Sequence, residues 1–236
     1  MSDYDRNVAA FPGATQTAAI DQGLRAHMIR VYNYMASGVA LTGVVAYFTN
    51  QMFGPQLAGS PIMWVLILAP LALVFFISFR INSLSAGTAR ALFFVYAALV
   101  GASLSLVFAV YTGTSITRVF FITAAAFGGL SLWGYTTQRD LTGMGSFLMM
   151  GLIGIIIASL VNIFLKSSGL DWIISVIGVL VFAGLTAYDT QKIKEMYSPY
   201  DDGTVAGRKV VMGALELYLD FINLFLMLLR LFGDRR

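Results

Sequence analysis

The sequence lacks cysteine and is poor in charge. None of its 236 residues is cysteine, which excludes disulfides, thiolate metal sites and cysteine nucleophiles. Only 11% of the residues are charged, whereas a soluble domain carries about 25%. Because 58% of the residues are hydrophobic and the mean hydropathy is +0.78, we expect an integral membrane protein whose first partner is the lipid bilayer.

Several functional signatures are also missing. No HExxH, GxSxG or P-loop pattern occurs, and the single histidine, His27, precedes the first apolar run, where we expect it to be solvated. No basic patch is interleaved with exposed aromatic residues, and the first 28 residues contain no apolar run typical of a cleavable signal peptide. The sequence therefore predicts no enzyme, no cofactor and no nucleic-acid partner.

Long apolar runs follow a polar N-terminal tail, residues 1–28, and predict a single transmembrane domain over residues 29–236. With roughly 20 residues per crossing, we count seven spans. Pro70 lies inside the second and is expected to kink it. The fold class is an all-α polytopic membrane protein. The expected spans are about 29–50, 61–80, 91–111, 116–136, 146–165, 172–189 and 207–236.

The distribution of Lys and Arg predicts the orientation of the spans. Of the 15 Lys and Arg residues, 10 fall on the side of the N-terminus, which leaves 5 on the other side. Cytoplasmic connectors are enriched in these residues, so we expect the N-terminus inside and the C-terminus outside. The basic C-terminus, with Arg235 and Arg236, leaves open a re-entrant last segment with both ends inside.

The last span carries Glu216, Asp220 and Asn223, which are four and then three positions apart and share one helix face. Asp220 is eleven positions beyond Lys209, or about 16 Å along a helix. That depth is near the middle of a hydrocarbon core about 30 Å thick. Since carboxyls at such depth face a protein interior or a water-filled path, we expect Glu216 and Asn223 to line an ion pathway or its entrance.

Asp189, at the inner end of span six, is the candidate partner of Asp220. Two carboxyls close together in a low dielectric cannot both ionise cheaply, so they would titrate as one coupled unit. Arg80, expected at the same boundary, is the candidate counter-charge. Two alternatives remain open. In one, Asp189 ends span six in interfacial water. In the other, the two aspartates belong to an intramembrane protease, although the motifs typical of such proteases are not both present.

Two segments resemble the paired signatures of the Bax inhibitor-1 family, the transmembrane Bax-inhibitor-motif proteins. They are AYDTQKI at 187–193 and LELYLDFINLF at 215–225. The resemblance implies seven helices, with the C-terminal helix central and wrapped by the other six. It also implies a pH-sensitive calcium leak gated by an aspartate pair near the cytosolic face, which maps onto Asp189 and Asp220. An arginine on the second helix would tie the pair, and Arg80 is the candidate.

The first hypothesis is therefore a calcium-permeable, pH-gated leak channel in which Ca²⁺ is the permeant ion and contacts Asp189 and Asp220 transiently. The alternative is a regulator without flux, bound to a membrane protease or another membrane complex through the N-terminal tail or the connector at 191–209. A proton-coupled transporter is a third hypothesis, since carboxyl pairs also serve proton relays. Short connectors and the absence of an address signal favour a bacterial inner membrane. No feature specifies the oligomeric state.

Overall fold

A computed structural model describes residues 12–57 and 60–236 of the chain. The expected all-α fold with seven helices is confirmed, and within these ranges β-pairing is limited to one isolated bridge. A short 3-10 turn, Ile81–Ser83, follows the second helix. The helices are α1 Pro12–Leu57, α2 Pro61–Arg80, α3 Ala86–Val110, α4 Gly113–Thr136, α5 Thr142–Leu165, α6 Ser168–Glu195 and α7 Gly203–Phe232.

Six of these helices, α2 to α7, are long and apolar enough to cross a membrane. Helix α2 has the predicted bounds and continues through Pro70 as one element. Helix α1 has 46 residues, which is about 69 Å at 1.5 Å per residue and far exceeds a hydrocarbon core of about 30 Å. The polar segment expected as a tail is therefore helical from Pro12 onward and continuous with the first span, while residues 1–11 lie outside the described part.

Helix α7 lies at the centre of the bundle, as predicted. In its most apolar stretch 72% of the residues are buried, against 11% in α5. Helices α1, α3, α4 and α6 pack directly on α7, whereas α2 packs mainly on α3 and α5 on α6. The six surrounding helices thus form an inner shell of four and an outer pair.

A buried hydrogen-bond chain ties α7 to two of its neighbours. The Thr42 hydroxyl donates to the carbonyl oxygen of Ala97 at 2.8 Å and lies 2.6 Å from the Tyr218 hydroxyl. Because the single proton of Thr42 is used, the Tyr218 hydroxyl is the donor to Thr42. The chain joins α7, α1 and α3 at a point where water cannot replace a lost hydrogen bond.

The C-terminal residues pair with the connector between α3 and α4. Tyr111 and Arg235 form an antiparallel bridge, and the amide of Thr112 donates to the carbonyl of Asp234 at 3.0 Å. Since α7 runs unbroken through the bundle, the C-terminus lies at the opposite end from the α6–α7 connector. The re-entrant alternative for the last segment does not hold.

The α6–α7 connector is much shorter than the charged segment at 191–209 suggested. Both helices extend into that segment and leave residues 196–202 between them. Asp202 caps α7 by accepting the amide protons of Thr204 and Val205 at 2.8 and 2.7 Å. Asp201 accepts a hydrogen bond from Lys209 at 2.7 Å. These local bonds hold the connector against the ends of its helices.

His27 is buried, contrary to the expectation that it is solvated. Only 2% of the residue is exposed, and its ring lies 5.7 Å from that of Tyr197 in the α6–α7 connector. The reason is that α1 begins before the first expected span and brings Gly23 and His27 against Tyr197 of the connector. Burial lowers the pKa of His27, and the positive charges of Arg30 and Lys209 lower it further.

We expect the protein to lose stability as the pH falls below about 6.5, the ordinary pKa of histidine. The lowered pKa keeps His27 neutral in the folded protein. As the pH falls, His27 is therefore protonated in the unfolded chain before it is protonated in the folded protein, and this lowers the free energy of unfolding. His27→Gln should reduce the loss. The check is the thermal midpoint in detergent micelles from neutral to mildly acidic pH. An identical acid-induced decrease in both proteins would contradict this role of His27.

Small residues let several helices approach closely. The ridge predicted on span three, Ala97, Gly101 and Ser105, is buried, and Gly101 packs against the backbone of Thr42 in α1. A Cβ atom at Gly134 in α4 would overlap the backbone of Ala187 in α6. Close backbone approach at small residues is the usual way in which membrane helices gain van der Waals contact.

Gly134→Ala should destabilise the protein by about 1–3 kcal/mol, because backbone atoms of α6 cannot move aside cheaply. Gly129→Ala is the matched control on the same helix, since a Cβ atom there meets open space. Both substitutions gain the same intrinsic helix propensity, so their difference isolates the contact. Equal unfolding free energies for the two variants in mixed micelles would show that the α4–α6 contact is not tight.

Candidate functional site

Asp189 and Asp220 face each other between the antiparallel helices α6 and α7. Asp189 lies six residues before the end of α6, and the contact of Ile193 with Gly213 sets the register of the two helices. The two carboxyl groups are within hydrogen-bonding reach, and Asp220 is only 4% exposed. The structure therefore brings the predicted pair together, and Asp189 lies within α6 instead of at the end of the helix.

A second pair of charges lies one turn nearer the α6–α7 connector. The Lys192 ammonium donates to a carboxylate oxygen of Glu216 at 2.7 Å. Lys192 is three positions after Asp189, and Glu216 is four positions before Asp220, so each pair follows from helical periodicity. Glu216 thus joins the cluster of charges instead of standing apart at an entrance. We call these four residues the carboxyl cluster.

Two oxygen atoms of the carboxyl cluster are left without a protein partner. Within the described part of the chain, Oε2 of Glu216 and Oδ2 of Asp220 are buried and accept no hydrogen bond. A buried carboxylate oxygen without a partner is costly, so such an atom calls for a proton, a water molecule or a cation.

The cation beside the aspartates is Lys192, which was not among the residues predicted from the sequence. Its position three residues after Asp189, on the same helix face, is the pattern that indicates this role. Arg80, the predicted counter-charge, is exposed at the end of α2, a helix that packs mainly on α3. Among the ion pairs formed by residues 12–57 and 60–236, none includes Arg80. The structure does not bring Arg80 to the pair.

A cavity of about 780 Å³ separates α5 from the carboxyl cluster. All four charged residues of the cluster line it, together with Asn223, whose amide donates to the carbonyl of Leu219 at 2.8 Å. The opposite wall belongs to α5 and is apolar apart from one serine: Met149, Leu152, Ile155, Ile156, Ser159, Leu160 and Ile163. The predicted pathway residues Glu216 and Asn223 therefore share one cavity with the aspartate pair.

A second cavity, of about 440 Å³, continues the same three helices toward the C-terminal end of the bundle. It starts at Asn162, the neighbour of Ile163 in the first cavity, and its polar lining includes Asp171. Arg230 and Arg235 lie 3.7 and 3.9 Å from the Asp171 carboxylate. The two cavities thus place polar groups of α5, α6 and α7 both at the carboxyl cluster and at the C-terminal end of the bundle.

The carboxyl cluster does not form a closed metal site. Across the described residues, no group of three or more His, Asp or Glu side chains is arranged to hold a metal ion. Carboxylate oxygens suit Ca²⁺, but the Lys192 ammonium occupies one oxygen of Glu216 and opposes a resident cation.

Comparison with known proteins decides the family. The family model Bax1-I, described as an inhibitor of apoptosis-promoting Bax1, matches residues 24–236. The chain belongs to the Bax inhibitor-1 family. The match contains both segments that carry the resemblance, so the family assignment made from 187–193 and 215–225 is confirmed. Asp189 and Asp220 lie in those two segments and face each other in the fold.

Several bacterial proteins are similar to this chain over almost its whole length. The inner membrane protein YbhL of Escherichia coli is 49% identical over 240 residues, which cover 96% of this chain and 99% of YbhL. The protein RP147 of Rickettsia prowazekii is 48% identical, with 100% of both chains covered. A protein of Caulobacter vibrioides is 46% identical, again with 100% of both chains covered.

In this family member, the Lys192–Glu216 pair should be energetically coupled. Lys192→Met alone leaves three carboxyl groups beside the cavity without their cation, so it should destabilise the protein. Glu216→Gln in the Lys192→Met background should recover part of the loss, with a coupling energy of about 1 kcal/mol or more. The measurement is a double-mutant cycle of unfolding in mixed micelles. Strictly additive losses would mean that the pair contributes no interaction.

Proposed function

We propose that this Bax inhibitor-1 family protein is a calcium-permeable leak channel whose opening is controlled by protonation of Asp189 and Asp220. The observation that carries the proposal is the contact of two carboxyl groups inside a cavity, at a depth where the bilayer provides no water. Such a pair holds a proton between its oxygens at little cost, whereas two ionised carboxylates in contact repel each other.

Protonation sets the force between α6 and α7. With one proton shared, the carboxyl groups of Asp189 and Asp220 form a hydrogen bond that ties the helices together. Without it, two charges about 4 Å apart repel by about 4 kcal/mol at an effective dielectric of 20. Lys192 offsets only part of this repulsion, because its ammonium is engaged by Glu216. Loss of the proton therefore favours separation of the helices and an open path.

The lining of the cavities supports passage of a hard cation. Ca²⁺ prefers carboxylate, amide and hydroxyl oxygens, and the first cavity offers all three from the carboxyl cluster, Asn223 and Ser159. Asp171 supplies a further carboxylate in the second cavity. Conduction needs several weak sites instead of one tight site, and a spread of single oxygen donors meets that requirement. Deprotonation also makes the path more anionic, so both effects increase flux as the pH rises.

The proposed membrane is the bacterial inner membrane, with the N-terminus in the cytoplasm. The printed description of YbhL as an inner membrane protein supports the location. The excess of Lys and Arg at the end of the bundle that holds the α6–α7 connector supports the orientation. Asp189 lies six residues from that end of α6, so the pair would be nearer the cytosolic side.

The test is Ca²⁺ flux into liposomes that contain the purified chain, measured over a series of pH values. Wild-type flux should rise with pH, by up to about tenfold per pH unit for a one-proton switch. Asp220→Asn and Asp189→Asn should each flatten this dependence, because an amide neither gains nor loses the proton. Asp140→Asn is the matched control, since Asp140 is exposed in the α4–α5 connector, and its pH profile should follow the wild type.

Two outcomes would overturn the proposal. Unchanged pH dependence in both aspartate variants would remove the pair from gating. Wild-type flux equal to that of protein-free liposomes at every pH would remove the channel function and favour the regulator of a membrane protease or another complex. Flux that requires a counter-movement of protons would instead indicate a proton-coupled transporter.

A further inference from the structure

A lateral groove lies between α1 and α4, on the side of α7 away from the carboxyl cluster. Helix α1 packs on α3 and α7, and helix α4 packs on α6 and α7, so the two helices flank an opening. The groove measures about 930 Å³, and Phe221 of α7 contributes to its floor. A hydrogen bond of 2.5 Å between the hydroxyls of Tyr32 and Ser131 crosses it.

The dimensions of the groove match one leaflet of a bilayer. Its lining on α1 runs from Ile29 to Ala40, eleven positions or about 16 Å along the helix. This is about half of a hydrocarbon core 30 Å thick. The groove is overwhelmingly apolar over this depth, and its rim at Ile29 and Leu132 is exposed, at 48% and 64%. In a bilayer such a rim meets acyl chains, so an acyl chain is the occupant that fits.

One end of the groove is positively charged. Arg25, which precedes the first span, lines the groove at its end near the α6–α7 connector. Tyr135 lines the same end, and the Lys194 ammonium donates to its carbonyl at 2.9 Å and lies 5.3 Å from the centre of its ring. This end of the groove therefore has Arg25 in its lining and Lys194 beside Tyr135, one of its lining residues. Long basic side chains at this depth attract anionic headgroups.

We propose that the groove between α1 and α4 binds one anionic phospholipid, with an acyl chain along α1 and the phosphate beside Arg25. The site lies on the opposite side of α7 from the proposed ion path and does not depend on that path for its chemistry. The lipid belongs to the leaflet at the α6–α7 connector, because that is the end at which the cations lie.

Adjacent glycines of α4 provide a matched pair of variants. A Cβ atom at either Gly128 or Gly129 meets open space, but only Gly128 is among the residues that line the groove. Gly128→Leu therefore adds a side chain to the groove from a position where its Cβ atom has room, and Gly129→Leu makes the same chemical change at a residue outside the lining. Equal gains in helix propensity cancel between the two variants.

The experiment is native mass spectrometry of the full chain released from micelles that contain equal amounts of phosphatidylglycerol and phosphatidylethanolamine. The wild type should retain one phosphatidylglycerol per chain in preference to phosphatidylethanolamine. Gly128→Leu should reduce this retention about tenfold, because the leucine occupies the volume of several methylene groups of the lipid. Gly129→Leu should retain lipid as the wild type does. Arg25→Gln should keep lipid but lose the preference for phosphatidylglycerol.

Several outcomes would overturn the proposal. Equal retention by Gly128→Leu and the wild type would exclude the groove as the site. Equal losses in both glycine variants would show a general effect on α4. A wild-type dimer that Gly128→Leu separates would assign the groove to a second copy of the chain. Retention without any preference for phosphatidylglycerol in the wild type would exclude the role given to Arg25.

Discussion

The bundle depends on covering the ionisable groups of α7 at a depth where a bilayer cannot solvate them. Glu216 and Asp220 can lie there only if protein groups face them, and α6 supplies both Lys192 and Asp189 in the required register. The remaining faces of α7 are covered by α1, α3 and α4. This requirement explains why the C-terminal helix is central.

Two of the cavities beside α7 meet it at neighbouring residues. Asp220 lines the cavity toward α5, while the next residue, Phe221, lines the groove between α1 and α4. The hydrogen bond from Tyr218 to Thr42 fixes α7 to α1 one turn away. Helix α7 is thus bonded to α1 at Tyr218 and borders cavities at Asp220 and Phe221. This arrangement is suited to small movements of α6 against α7.

Much of this structure follows from local sequence, and the rest depends on packing between distant helices. Apolar run length predicted α2 to α7, the six helices able to cross a membrane, and the spacing of Glu216, Asp220 and Asn223 predicted their common cavity, because both are properties of a single helix. Lys192 rather than Arg80 lies beside the aspartates because α6 packs on α7, whereas α2, which carries Arg80, lies in the outer pair. Which helices become neighbours cannot be read from a single helix. The burial of His27 follows from the extension of α1 over the α6–α7 connector, which no local pattern specifies.

The most direct test of a gated aqueous path uses the absence of cysteine from the chain. Asn223→Cys places the single thiol in the first cavity, and Ser83→Cys places one at an exposed site that reports the intrinsic pH dependence of thiol reactivity. A cationic methanethiosulfonate should modify Asn223→Cys with a steeper rise with pH than Ser83→Cys, and Asp220→Asn should abolish the difference. Identical pH profiles, or no modification of Asn223→Cys at any pH, would contradict an aqueous path controlled by the aspartate pair.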